Sequence, residues 1–195
     1  MKLYDLDASG NCYKVRLFVS LAHIELELIP VDIPGGEHKR PPLSELNPLG
    51  QLPILQDGAH VVRDSQAILV YLAGKYGGLA WWPAHPLGQA DIVQWLSFAA
   101  NEVQHSLCAA RLVEKFGYAL DKDAALAKSP AVLSILDQHL ERHDWLAMGR
   151  PTIADCAVYP YVALAPEGSV DLEPYGHVAG WMKRMEELPG YLPKP

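Results

Sequence analysis

Residues 2–33 read KLYDLDASGNCYKVRLFVSLAHIELELIPVDI. A short β-type run from Lys2 to Leu6 is followed by apolar residues at helical spacing from Cys12 to His23. A second extended apolar run covers Glu27 to Ile33. Strand, helix and strand in this order predict a βαβ unit, and its two strands should be parallel because the helix carries the chain back to the starting edge.

A β-hairpin is predicted further along the chain, after a polar, proline-rich loop from Pro34 to Leu46. Two apolar runs, 52–56 and 59–63, flank the dipeptide Asp57-Gly58. This dipeptide suits a two-residue turn between antiparallel strands. The four predicted strands therefore form one parallel and one antiparallel pair.

Helical spacing resumes from Ser65 to Tyr76 and stops at Gly77-Gly78, a typical C-terminal helix signal. The complete order is then βαβ followed by ββα, which is the order of the thioredoxin-like fold. We therefore expect an α/β domain with a mixed four-stranded sheet over residues 1–77.

The rest of the chain is predicted to be an all-α domain. Two glycines and two prolines in residues 77–86 break both periodicities and indicate a linker over 78–86, in which Trp81-Trp82 is expected to pack against the domain interface. From residue 87 to 195 no convincing strand appears. The predicted helices cover about 87–117, 129–147, 152–164 and 175–188.

Two of these helices carry clear start signals. Ser129-Pro130 has proline at a first helical position, and Thr152 is followed three residues later by Asp155, as in a capping box. We expect Asp155 to serve folding and not catalysis.

Composition excludes several classes of function. Of 195 residues 50% are hydrophobic and 20% are charged, so the chain can bury a sizeable core and is not disordered. Lys plus Arg number 16 against 23 for Asp plus Glu, which gives a net charge of −7. Nucleic acid is therefore not expected as a partner.

The location predicted from the sequence is cytoplasmic. No apolar run is long enough to span a membrane, and the first residues lack the features of a signal peptide. The three cysteines, Cys12, Cys108 and Cys156, are widely spaced and form no Cys-x-x-Cys pair. Free thiols in a reducing compartment fit this pattern.

Four segments in the right order and spacing carry a resemblance to a known family: 8–16 (ASGNCYKVR), 47–53 (NPLGQLP), 64–68 (DSQAI) and 151–155 (PTIAD). Over essentially its whole length the chain resembles the cytosolic glutathione transferases, in particular bacterial, serine-type members similar to the theta and zeta classes. The resemblance implies glutathione as co-substrate, a small hydrophobic electrophile as second substrate, a homodimer and a role in detoxification.

The resemblance also implies a residue that keeps the glutathione sulfur as a thiolate, the reactive nucleophile. Aligning the Val15-Arg16 pair places Ser9 at the family's serine position, at the start of the first helix. Asn11 is the alternative donor, and the two could act jointly. Cys12 is expected to be a packed thiol, and Tyr4 lies within a strand as a core or rim residue.

Asp64 and Ser65 are implied as the site for the γ-glutamyl end of glutathione. They stand where a strand turns into a helix, so the Ser65 hydroxyl and the first free amides could hold the carboxylate, and Asp64 could meet the ammonium. Ser or Asp at this position is equally explained as a helix N-cap.

The remaining glutathione contacts are implied before the third strand. Pro53 corresponds to the family's proline with a preceding cis peptide bond, which exposes the backbone of Leu52 for pairing with an extended peptide. Gln51 and either His38 or Lys39 would meet the glycine carboxylate, although a lysine in a polar loop is otherwise a solvated charge.

The helical domain is implied as the wall of the electrophile site. Its first long helix offers His105, Leu107, Cys108 and Arg111 as candidates. Residues at helical spacing are more often core or dimer contacts, and Glu102 or Arg111 could equally face a partner subunit.

No metal is predicted. His139 and His143 lie four residues apart on one helix, but no third ligand accompanies them. The predicted activity is therefore glutathione transfer without a metal cofactor. A glutathione-dependent isomerase, a disulfide reductase or peroxidase of the same fold, and a non-catalytic glutathione- or protein-binding module are the alternatives.

Overall fold

A computed structural model describes all 195 residues, Met1–Pro195. Its strands and helices in chain order are β1 (Lys2–Asp5), α1 (Gly10–Leu21), β2 (Glu27–Pro30), α2 (Leu43–Leu46), β3 (Ile54–Asp57), β4 (His60–Arg63), α3 (Ser65–Leu72), α4 (Gly78–Trp81), α5 (Pro86–Phe98), α6 (Ala109–Phe116), α7 (Lys122–Leu140), α8 (Ile153–Ala163) and α9 (Gly176–Glu186). Two π-helical stretches, Ala73–Gly77 and Ala99–Cys108, continue α3 and α5. Short 3-10 turns cover Glu37–Lys39 and Ala165–Gly168.

The four strands form a single mixed sheet in the order β2-β1-β3-β4. Strand β1 is parallel to β2, pairing Leu3 with Leu28, and antiparallel to β3, pairing Leu3 with Leu55. Strands β3 and β4 form the hairpin that Asp57-Gly58 predicts. The predicted thioredoxin-like domain is confirmed, and the chain beyond it is helical, as expected.

Helix α1 lies at the centre of the molecule. Ten of its twelve residues are buried, because it packs against α3 on one side and α8 on the other. A single apolar cluster consequently runs from Leu3 in the sheet to Trp181 in α9. The two halves of the chain thus share one core.

The segment 78–86, predicted as a linker, contains the one-turn helix α4 and is docked on both sides. The Trp81 ring meets Phe18 edge-on with 5.2 Å between centroids, which agrees with the expected packing at the interface. Arg150 donates hydrogen bonds to the carbonyl oxygens of Leu79 and Ala80, at 2.8 and 3.0 Å.

The prediction that a helix begins at Ser129-Pro130 is wrong. Helix α7 begins at Lys122, where Asp121 caps it, and it carries Pro130 in its interior. An interior proline costs about 3 kcal/mol, but buried side chains on both sides of it hold one continuous helix. These include Ala125, Val132, Leu133 and Leu136. The helix ends at Leu140 and not at 147.

Asp155 has the structural role that the capping box predicts. Its Oδ2 accepts from the Thr152 amide at 2.9 Å. Its Oδ1 accepts from the Leu146 amide at 3.1 Å and the Trp181 indole at 3.0 Å. Burial raises the pKa of this carboxyl to about 6, and the hydrogen bonds oppose that effect.

Replacing Asp155 by Ala should lower the free energy of unfolding by about 3 kcal/mol, because three buried donors lose their acceptor. Chemical denaturation followed by circular dichroism measures the change. Glu173→Ala is the control, since that carboxylate is exposed and forms no hydrogen bond. A loss for Asp155→Ala no larger than the control's would refute the structural role.

None of the helices is both long and apolar enough to span a lipid bilayer.

Candidate active site

A cleft separates the sheet domain from the helical half, and both contribute to its walls. The first half lines it with Leu6, Ser9, Asn11, Ile33, His38, Gly50, Gln51, Leu52, Asp64, Ser65 and Gln66. The helical half lines it with Ala100, Gln104, Cys108, Leu112, Tyr118 and Tyr161. An adjoining polar recess extends the cleft past Asn47, Leu49, Pro53 and Arg63.

Ser9 is the N-cap of α1 and also lines the cleft. Its Oγ accepts a hydrogen bond from the Cys12 amide at 3.3 Å. Accepting this bond leaves the hydroxyl hydrogen available to a second partner. The N-terminus of α1 adds a partial positive charge at the same place, so an anion in the cleft would meet both.

Asp64 and Ser65 lie at the N-terminus of α3, on the same cleft. The Asp64 carboxylate caps the helix by accepting from the amides of Gln66 and Ala67, both at 3.0 Å. Its backbone has φ of 76°, a conformation that costs a non-glycine residue about 1–3 kcal/mol. The Ser65 hydroxyl contacts Asn11 Oδ1 at 3.4 Å, which joins the starts of the two helices.

The loop before β3 presents its backbone to the cleft. The Leu52–Pro53 peptide bond is cis, as the resemblance implied. Neither the N–H nor the C=O of Leu52 takes part in a backbone hydrogen bond. Asn47, which the sequence reasoning missed, is buried and holds this loop by donating to the Gln51 carbonyl at 2.8 Å.

Of the two basic candidates in the preceding loop, the structure brings only His38 to the cleft. Its Nδ1 is buried and has no protein partner. Lys39, at the end of the same 3-10 turn, is exposed and does not line the cleft.

The long helix predicted over 87–117 is continuous but changes its winding between Ala99 and Cys108. π-Helical stretches of this kind often occur at functional sites. Every fourth side chain from this point faces the cleft, namely Ala100, Gln104, Cys108 and Leu112. Cys108 is thus the one cleft residue among the four candidates from this helix.

The other three candidates are elsewhere, because they lie on different faces of the helix. His105 is exposed, and its Nδ1 contacts the Asn101 carbonyl at 2.8 Å. Leu107 belongs to the buried core. Glu102, the alternative partner contact, is exposed.

Arg111 is buried in an ion pair and does not form the wall of the cleft. Its Nε donates to Glu167 Oε2 at 2.7 Å, and its Nη2 donates to the Ala8 carbonyl at 3.0 Å. Because Ala8 precedes Ser9, this side chain fastens the helical half to the loop that carries the candidate thiolate donor.

Tyr161 and Tyr118 are cleft residues that the sequence reasoning missed. Tyr161 packs over the first turn of α1, and a Cβ atom at Gly10 would lie only 2.6 Å from its Cε1. Gly10 is therefore required for the close approach of the ring. A glycine directly after a helix cap is the one sequence signal that could have indicated this contact.

Cys12 is a packed thiol, as predicted. It is fully buried, its Sγ accepts from the Leu6 amide at 3.4 Å, and burial raises its pKa to about 12. The rings of His139 and His143 stack at 4.3 Å between centroids. No three His, Cys, Asp or Glu side chains are arranged to hold a metal ion.

The fold and the cleft define a class of protein in which a thioredoxin-like domain is joined to a helical domain around a shared site. The family model for the glutathione S-transferase N-terminal domain matches residues 3–80, and that for the C-terminal domain matches residues 104–189.

Similar proteins agree with these matches. Glutathione S-transferase 2 of Anopheles gambiae is 31% identical over 188 residues, which cover 95% of this chain and 90% of the relative. A crystal structure of a possible glutathione S-transferase from Rhodopseudomonas palustris has a TM-score of 0.89 and 32% identity, covering 99% of this chain and 97% of the other. The glutathione S-transferase of Pseudomonas fluorescens also has a TM-score of 0.89, with 29% identity and 99% and 98% coverage. The chain belongs to the glutathione S-transferase family.

Replacing Arg111 by Met should loosen the loop before Ser9, because the Ala8 carbonyl loses its donor. We expect a loss of about 1–3 kcal/mol in the free energy of unfolding and faster hydrogen exchange of the amides in residues 9–12. Mass spectrometry of exchanged peptides measures the second effect.

Lys115→Met is the matched control for this variant. Lys115 donates to the same Glu167 carboxylate at 2.8 Å but does not touch Ala8. Lys115→Met should lower the free energy of unfolding by less than about 1 kcal/mol and leave hydrogen exchange at residues 9–12 unchanged. Equal exchange in the two variants would contradict the role given to Arg111.

Proposed function

We propose that this protein binds reduced glutathione and activates its thiol for attack on a small hydrophobic electrophile. The observation that carries the proposal is the convergence on one cleft of two helix N-termini and an unpaired stretch of backbone at Leu52. Glutathione has matching parts: a carboxylate with an ammonium, an extended peptide with a thiol, and a second carboxylate.

The N-terminus of α3 suits the γ-glutamyl end. The Ser65 amide, the one free amide of this first turn, and the helix dipole favour a carboxylate there, and the Ser65 hydroxyl can add a hydrogen bond. Asp64 is the only carboxylate among the cleft residues, so it is the natural partner of the ammonium. Its capping bonds use Oδ1 and leave Oδ2 available.

The middle and the far end of glutathione would lie along the loop before β3. The free N–H and C=O of Leu52 can pair with the cysteinyl residue in the manner of a short β ladder. Gln51 and His38 would then meet the glycine carboxylate. His38 takes this role in preference to Lys39, because only His38 lines the cleft.

Activation of the thiol is assigned to Ser9. A free thiol has a pKa of about 8.5 and is mostly protonated at neutral pH. A hydroxyl donating to the sulfur, together with the N-terminus of α1, favours the thiolate. Asn11 is retained as a second donor, since it lines the same cleft two residues further along the chain.

The helical wall would receive the electrophile. Leu112, Tyr118 and Tyr161 give this side of the cleft an apolar and aromatic character. Isomerisation and the reduction of a disulfide or peroxide start from the same bound thiolate, so a screen of electrophiles, disulfides and peroxides decides between these reactions.

The serine-type subclass, the homodimer and the cytoplasmic location are parts of this proposal. Light scattering tests the dimer.

Removing the Ser9 hydroxyl should raise the pKa of bound glutathione, because the thiolate loses its donor. In the wild type we expect a thiol pKa about 1–3 units below the free value. In Ser9→Gly and Ser9→Ala the thiol pKa should return most of the way to the value of free glutathione. Ultraviolet absorbance of the thiolate as a function of pH measures it.

The two variants separate thiol activation from helix capping. Alanine at an N-cap costs about 1 kcal/mol of stability, whereas glycine costs only a few tenths, so only Ser9→Ala should be clearly destabilised. Ser97→Ala, at an exposed position on α5, serves as the control. Glutathione bound with an unshifted pKa in the wild type would mean a binding module and not a transferase.

Replacing Asp64 by Asn should weaken glutathione binding about 10-fold, because the ligand's ammonium loses a charged partner. The amide oxygen can still cap α3, so the unfolding temperature should change little. Isothermal titration calorimetry gives the affinity, and thermal unfolding gives the stability. Wild-type affinity in this variant would remove Asp64 from the proposed site.

A further inference from the structure

Lys14, on α1, is a buried lysine that forms no ion pair. Its side chain is completely buried, and its Nζ has no hydrogen-bond partner in the protein. The nearest favourable group is the ring of Tyr161, whose centroid lies 5.0 Å from Nζ. A buried charge without a partner is destabilising by several kcal/mol and therefore calls for a functional explanation.

The other buried cations of this region are paired. Arg16 donates to Asp5 Oδ2 at 2.8 Å, and Arg111 donates to Glu167 Oε2 at 2.7 Å. Lys14 is thus the exception among three buried cationic side chains. Hydrophobic packing alone does not explain it, since methionine would fill the same space without a charge.

The ammonium of Lys14 lies directly behind the wall of the cleft. Tyr161, whose ring it faces, lines the cleft on one side and packs over Gly10 at the start of α1 on the other. The cleft lining between the two halves contains no Lys or Arg, because Arg63 belongs to the adjoining recess, and its only carboxylate is Asp64. Lys14 therefore places an unpaired positive charge behind the Tyr161 ring, whereas Arg111 is paired with Glu167.

We infer that Lys14 supplies the counter-charge for the glutathione thiolate, acting through Tyr161 from behind the cleft. The inference rests on the proposed function, and it assigns a charge to thiolate activation in addition to the Ser9 hydroxyl. A thiolate held at the start of α1 is the anion that the buried ammonium lacks. The low polarity around Lys14 strengthens its field compared with a cation in water.

The protonation state of Lys14 allows this role. Desolvation lowers its pKa to about 8, while the nearby Cys108 and Asp64 act in the opposite direction. The other titratable groups around it are the Tyr161 hydroxyl, whose pKa burial raises, and, beyond that ring, Cys12 and Arg111. At neutral pH the ammonium is therefore mostly charged.

The test compares the pKa of bound glutathione in the wild type, Lys14→Met and Lys14→Gln, again by thiolate absorbance against pH. Both replacements remove the charge and keep a side chain of similar length. We expect the acid dissociation constant of the bound thiol to fall about 10-fold in both. Lys128→Met removes an exposed lysine from α7 and should leave the constant unchanged.

Stability provides a second readout that a purely structural lysine would not produce. Because Lys14→Met removes an unpaired buried charge, its unfolding temperature should equal or exceed that of the wild type. If Lys14→Met raises the pKa of bound glutathione and does not lower the unfolding temperature, the charge of Lys14 serves the function of the protein and not its stability.

The outcomes separate the inference from the function on which it rests. If both Lys14 variants bind glutathione with the wild-type thiol pKa, the inference is wrong and the proposed function stands. If the wild type itself binds no glutathione, or binds it with the free thiol pKa, the proposed function fails and the inference fails with it.

Discussion

The burial of α1 on almost every face is the constraint on which the rest of the structure depends. The helix is packed between α3 of its own domain and α8 of the helical half. Its N-terminus therefore has a fixed position at the cleft between the two halves. The approach of Tyr161 to within van der Waals distance of Gly10 leaves no room for a side chain there. A helix so tightly enclosed can aim its free amides and the Ser9 hydroxyl at one point without further ordering when a ligand arrives.

Two buried cations on this helix and one from the helical half have different roles. Arg16 binds the Asp5 and Asp7 carboxylates and the Asp7 carbonyl, which orders the turn between β1 and α1 from within the domain. Arg111 holds the next residue of that turn, Ala8, from the helical half. Lys14 forms no hydrogen bond to a carboxylate. The first two therefore fix geometry, and the third provides a field toward the cleft.

The sequence predicts what depends on local pattern, and it fails where distant contacts decide. The four strands, the hairpin at Asp57-Gly58 and the capping box at Asp155 follow from spacing and turn chemistry, and all are present. The interior proline of α7 is invisible to such reasoning, because packing from other helices outweighs its local cost. Helical spacing alone could not choose between Cys108, which lines the cleft, and Arg111, which does not. That choice depends on the π-helical stretch that ends at Cys108 and on the ion pair between Arg111 and Glu167.

The two walls of the cleft are built from different kinds of groups. Amino-acid substitutions therefore have different effects on each wall. The first wall relies on helix N-termini and on the free backbone of Leu52, with the Ser9 and Asp64 side chains at the two helix starts. The second wall is made by side chains at every fourth position of one helix, with Tyr118 and Tyr161. A substitution there would change the shape offered to the proposed second substrate but would leave both helix starts untouched. Substrate range can therefore vary in the helical half while the site for the shared thiol donor stays constant.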